Sequence, residues 1–136
     1  MSYFRFIKWI DEGEELILYG DGGQKRDFTY VDDIVDGTIR ALRPLGYEVI
    51  NLGDNHPHNM LEMISIIEQG LGKAARIKNM PLHKADAEAT WADITKARKL
   101  LGWEPQISLE DGIGKTIQWF RENPDLVRRI EIDLSV

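Results

Sequence analysis

The chain of 136 residues contains no cysteine, which excludes disulfides, thiolate nucleophiles and cysteine-ligated zinc, and fits a reducing compartment. It has no excess of basic charge either. With 17 Lys and Arg against 23 Asp and Glu, the net charge is −6, and no basic stripe exists to follow a nucleic-acid backbone. No apolar run approaches the length of a membrane span, and Met1 to Glu12 alternates charge with aromatics, unlike a signal-peptide core. These absences read as a cytoplasmic protein without nucleic-acid or membrane partners. Two phosphate-binding motifs are missing as well: there is no GxxxxGK followed by Ser or Thr, and no GxGxxG that opens a helix after a strand.

What is present is one ordinary domain's worth of chain, 43% hydrophobic and long enough for a real core. Its most informative stretch is GDGGQKRDFTYVDD, from Gly20 to Asp33. Leu16 to Tyr19 and Phe28 to Val31 alternate large apolar and β-branched residues and predict two short strands, with Gly20, Gly22 and Gly23 as the turn. Arg26 then emerges beside the turn, where a planar guanidinium can bind two phosphate oxygens at once. Taken alone, an arginine on an exposed strand also reads as a solvated charge.

Further along, the pattern predicts a first helix over Tyr3 to Glu12 with Phe6, Ile7 and Ile10 on its inner face. Asp32 or Asp33 is placed to cap a helix carrying Val35, Ile39 and Leu42, stopped by Pro44. Glu48 to Leu52 (EVINL) and Ala75 to Met80 read as strands, the first followed by the loop GDNHPHN, and Thr90 to Ala92 reads as a short extended piece. Leu61, Ile64, Ile67 and Leu71 line another helix, closed by Gly72. Asp93 is placed to cap a helix over Ile94 to Leu101, and Ser108 with Asp111 forms a capping box for the last long helix, carrying Ile113, Ile117 and Phe120. The expected fold is therefore α/β, with small mixed sheets and interleaved helices in a single domain, 1–136. Tyr19 and Phe28 also read as sheet-core aromatics, Met60 as core, and Trp91, Trp103 and Trp119 as packing residues. His56 and His58 lack an evident third metal ligand.

QKRDFTYVDDIVDG, INLGDN with LEMI, and ATWADITKARKLLGWEPQISLEDGI occur together in the order and spacing of the carboxyl-terminal part of the extended short-chain dehydrogenase/reductases. The chain most resembles the UDP-glucuronate 4-epimerase branch of that NAD-dependent epimerase/dehydratase family, with UDP-glucose 4-epimerase as a near neighbour. The resemblance implies a UDP-sugar-binding domain whose Rossmann half, holding NAD in the intact parent enzyme, is not in this sequence. No GxxGxxG is present, and none of Tyr3, Tyr19, Tyr30 and Tyr47 is followed four residues on by lysine, so no YxxxK pair can abstract a proton. The chain alone is expected to hold no NAD and to have no activity.

Carried over from the family, Ile17 and Tyr19 lie on the strand that receives uracil, Arg26 binds the diphosphate, and Phe28 is the aromatic two residues on. Met60 flanks the nucleotide at a helix start, and Asp86 accepts hydrogen bonds from the ribose hydroxyls. His83 stands where relatives carry arginine or glutamine, while Lys84 and Ala85 replace an expected proline and glycine. An unperturbed histidine, with a pKa of about 6.5, is mostly neutral at pH 7, so a second permanent charge at the diphosphate is lost. The expected partners are a UDP-sugar and either the missing Rossmann half or a second copy of the chain. Two other readings stand beside this one: a free-standing nucleotide-binding or interaction module without catalysis, and the same domain in a nucleotide-sugar dehydratase or decarboxylase.

Overall fold

A computed structural model describes residues 2–82, 86–130 and 132. Along them run α1 (Ser2–Glu12), β1 (Glu15–Tyr19), β2 (Lys25–Asp27), α2 (Val31–Arg40), β3 (Pro57–Asn59) and α3 (Met60–Leu71). Then follow β4 (Arg76–Met80), β5 (Ala89–Thr90), α4 (Thr95–Leu101), α5 (Leu109–Glu122) and α6 (Pro124–Arg129). The strands form two small sheets. β1 pairs in parallel with β4, from Glu15 opposite Arg76 to Tyr19 opposite Met80. β2 lies between β3, antiparallel, and β5, parallel.

The helix spacings predicted from the sequence build the main core. Phe6, Ile7 and Ile10 of α1, Ile64, Ile67 and Leu71 of α3, and Ile113, Ile117 and Phe120 of α5 are all buried together, with Leu16 and Leu18 of β1 beneath them. The ends of these helices are set by local chemistry. Gly72 closes α3 with φ +68°, a left-handed conformation that favours glycine. At the start of α5, the Asp111 N–H donates to Ser108 Oγ at 3.1 Å, so Ser108 caps the helix, and the Ser108 hydroxyl donates to Asp111 Oδ2 at 3.0 Å in place of the backbone N–H that a full capping box would use.

A second, smaller core gathers Ile94, Ala97, Leu101 and Trp103 against Leu45, Ile50, Leu52 and Ala92. Trp103 Nε1–H donates to the Asp33 carbonyl at 2.9 Å. A Cβ on Gly37 would lie 2.8 Å from Leu52 Cδ1 and 2.9 Å from Trp103 Nε1, so only glycine lets α2 come this close.

Several expectations change, and among the smaller ones Leu61 of α3 and Trp91, both expected to pack, are 45% and 58% exposed. The second strand is Lys25–Asp27, not Phe28 to Val31: the Asp27 carboxylate accepts from Thr29 and from three backbone amides, turning the chain out of the sheet so that Val31 opens α2. Glu48 to Leu52 forms no strand, having no ladder partner among the described residues, and Pro57–Asn59, inside the expected loop, pairs with β2 instead. Neither Asp32 nor Asp33 caps α2, because the N-cap is Tyr30; Asp33 is buried and accepts the Ile107 N–H at 3.0 Å. Finally, Val35, Ile39 and Leu42 do not face a core but are 48%, 60% and 82% exposed. α2 buries the opposite side, that of Asp33 and Gly37, against Trp103.

Asp93 acts one position from where a cap would stand. It precedes the Ile94 N-cap and accepts the Thr95 N–H at 2.9 Å, and these hydrogen bonds from Thr95 hold its carboxyl below the usual range. No described helix is long and apolar enough to cross a membrane.

Candidate functional site

Arg26 sits at the centre of the three-stranded sheet, opposite His58 on β3 and Thr90 on β5. Its Nη1 donates to the Lys25 carbonyl at 2.8 Å, and its Nη2 forms an ion pair with Asp86 Oδ1, 60 residues away in sequence. Both side chains remain partly exposed, 25% for Arg26 and 40% for Asp86, so the pair is open to solvent.

The strand carrying Arg26 is fixed by its neighbour. Asp27 Oδ1 accepts the Asp54 N–H at 2.7 Å and the Thr29 hydroxyl at 3.2 Å, while Oδ2 accepts the Ala92 N–H at 2.8 Å and the Asn55 N–H at 3.2 Å. A carboxylate that gathers several N–H groups is held strongly and in one orientation. Gly53 makes room for it, since a Cβ there would stand 2.4 Å from the Ala92 Cβ and 2.8 Å from Asp27 Oδ2.

The glycine turn couples this sheet to the other. The Met60 N–H donates to the Gly22 carbonyl at 3.0 Å, which docks the turn on the start of α3. The buried Gln24 side chain donates from Nε2 to the Tyr19 carbonyl at 2.6 Å, and a Cβ on Gly20 would lie 2.8 Å from that same nitrogen. Tyr19 thus ends β1 half exposed beside the turn that delivers Arg26.

The residues singled out from the sequence fall into three groups. Arg26 and Asp86 are in direct contact. The Tyr19 carbonyl is joined to the turn by the Gln24 side chain and the Met60 N–H by the Gly22 carbonyl, while the Ile17 and Met60 side chains pack on the main core. Phe28 also packs on that core and lines a separate apolar cleft of about 650 Å³ with Tyr3, Tyr30, Met63 and Ile113. Burial, with Asp32 nearby, raises the pKa of the Tyr30 phenol in that cleft. His83 lies outside the described residues.

Sequence reading missed Asp27 and the cluster behind β3. The His58 ring lies between two carboxylates, with Nδ1 3.0 Å from Glu62 Oε1 and Nε2 3.6 Å from Asp54 Oδ2. Burial, followed by the neighbouring Asp27, pushes the Asp54 carboxyl above its ordinary pKa, against the opposing pull of His58 and His56. The i, i+4 spacing of Asp54, His58 and Glu62 was the available signal, but only the turn into α3 brings all three together.

A mixed α/β unit with an arginine-bearing sheet, built on the three motifs in register, defines a class. Residues 2–116 match the family model described as GDP-mannose 4,6 dehydratase, and the chain belongs to that family, within the extended short-chain dehydrogenase/reductases. Among its particular relatives, UDP-glucuronate 4-epimerase of Thermodesulfobacterium geofontis is 52% identical over 133 residues, covering 97% of this chain and 41% of the relative. UDP-glucuronic acid decarboxylase 1 of Danio rerio is 38% identical over 115 residues, covering 85% and 28%. The crystal structure of UDP-glucuronic acid 4-epimerase from Bacillus cereus in complex with UDP-glucuronic acid and NAD superposes with a TM-score of 0.83 at 38% identity, over 90% of this chain and 40% of that one. The chain thus spans about two fifths of the length of its epimerase relatives.

Proposed function

We propose that this chain anchors the nucleotide of a UDP-sugar for an NAD-dependent 4-epimerase, holding the diphosphate on Arg26 and the ribose on Asp86 while the chemistry proceeds elsewhere. The observation that carries the reading is the contact between Arg26 on β2 and Asp86 on the segment before β5, in a chain 52% identical to a UDP-glucuronate 4-epimerase. The role is positional: a fixed nucleotide supplies binding energy to a reaction at the far end of the ligand. Tyr19, beside the glycine turn, is proposed to offer an aromatic face to the base, with Ile17 and Met60 flanking it from the edge of the main core, whereas Phe28 lines the separate cleft and His83 lies outside the described residues.

The described residues do not suit NAD. The glycine turn at 20–23 leads into β2 and not into a helix N-terminus, so the backbone donors that hold a dinucleotide pyrophosphate are not assembled. The exposed stripe of α2 is the proposed seat of an NAD-binding half. A second reading, in which the same anchoring serves a decarboxylase, draws on the 38% identity to UDP-glucuronic acid decarboxylase 1.

Calorimetry with UDP on the parent and on Arg26→Ala tests the anchor. Loss of a charged hydrogen-bonding partner in an open site is expected to weaken binding by about 1 kcal/mol or more, roughly fivefold. Equal affinities would remove Arg26 from the site. The chain supplied with NAD and UDP-glucuronate is expected to show no turnover above a buffer blank; turnover by pure protein would overturn a purely anchoring role.

A further inference from the structure

We propose that Asp86 is a built-in competitor for Arg26, a carboxylate that occupies the guanidinium until a ligand able to satisfy both groups arrives, and that it thereby selects nucleoside diphosphates over bare pyrophosphate. The inference rests on the proposed nucleotide-anchoring role and adds to it a basis for selectivity.

The geometry points to this in three ways. First, the contact is delivered by the backbone. The Lys25 N–H donates to the Glu88 carbonyl at 2.9 Å, and β2 then pairs in parallel with β5, so the segment carrying Asp86 runs directly into the strand beside Arg26. Second, the neighbouring acids have other partners. Asp27 is saturated by three backbone amides and Thr29, and Glu62 faces His58, so of these carboxylates it is Asp86 that lies on the guanidinium. Third, the pair is exposed enough to open. An ion pair that water reaches on both sides contributes about 0–1 kcal/mol, small enough for a ligand to displace.

Displacement has different consequences for different anions. Pyrophosphate that takes the guanidinium leaves an unpaired carboxylate beside its own negative charge. A nucleoside diphosphate that takes the guanidinium also presents ribose hydroxyls, which donate to the freed carboxylate and replace the lost partner. The same residue therefore opposes one ligand and holds the other, and selectivity follows from a contact present before either binds.

The test measures pyrophosphate and UDP affinities by calorimetry at low salt on the parent, Asp86→Ala, Asp86→Asn, Glu88→Gln and Arg26→Ala. Both Asp86 variants are expected to bind pyrophosphate about two- to fivefold more tightly, the range that release of an exposed pair allows. UDP should gain nothing in Asp86→Ala, so its advantage over pyrophosphate shrinks. Glu88→Gln removes the same charge two residues away and should leave both affinities near the parent's. Unchanged, weaker or undetectable pyrophosphate binding in both Asp86 variants would overturn the proposal, as would an equal gain in Glu88→Gln, which would reduce the effect to bulk charge. If Arg26→Ala leaves UDP affinity unchanged, the anchoring role itself fails, whereas loss of UDP in Arg26→Ala with no pyrophosphate gain in the Asp86 variants defeats the competitor alone.

Discussion

At Asp27 one carboxylate receives backbone N–H groups from residues 27, 28 and 65 positions further along the chain. Two separate segments, 54–55 and the one at Ala92, are thereby held to the strand that carries Arg26. Asp27→Ala leaves the Asp54, Asn55 and Ala92 amides without their acceptor, and the expected loss is about 2–3 kcal/mol, read as a lower urea midpoint. A loss below about 0.5 kcal/mol would show that water replaces the carboxylate. Next to it, Asp54 carries a pH dependence of definite sign. Its pKa is raised in the folded state, chiefly by burial and then by Asp27, so the native protein holds this proton more firmly than the unfolded chain. Its contribution to stability is present below the unfolded carboxylate pKa, about 3.9, and is lost as pH rises through the raised folded value. Urea midpoints of Asp54→Asn, measured from pH 3 upward, should therefore move in the variant's favour relative to the parent. The opposite trend would mean that His58 and His56 outweigh burial.

At the scale of elements, α2 differs most from its sequence pattern. Val35, Ile39 and Leu42 repeat as an inward face would, yet they are exposed, and Val31 extends the stripe at 60% exposure. Apolar stripes of this kind tend to find partners. The chain is expected to self-associate through α2, and Val35→Lys with Ile39→Lys should abolish association in sedimentation while shifting the unfolding free energy by less than about 0.5 kcal/mol. A strict monomer across the micromolar range in the parent would sink this expectation. Periodicity reported correctly that the stripe is apolar; it could not report which surface covers it. EVINL likewise has a composition that favours a strand, yet it joins no ladder among the described residues. For α1, α3 and α5 the pattern located the core, except that Leu61 at the start of α3 is exposed. The site was legible only in outline: Arg26 stood out beside its turn, but the Asp27 brace and the His58 cluster depend on contacts between distant segments.

For the molecule as a whole, the sheet β3-β2-β5 joins residues 25–27, 57–59 and 89–90, with only two or three residues in each strand. The helices α1, α3 and α5 instead share a continuous buried core. Short ladders between distant segments close long loops for few hydrogen bonds, so they open at lower free energy than a packed helical core. Amide exchange should therefore be faster at Lys25, whose N–H reaches Glu88, and at Ala92, whose N–H reaches Asp27, than at the buried turns of α3 and α5. Equal protection throughout would show a single cooperative unit. On this expectation the arginine's surroundings are a clasp that opens before the helical body does. A ligand bridging β2 and the segment before β5 would act as a staple across it, slowing exchange at those two amides while leaving the helices unchanged.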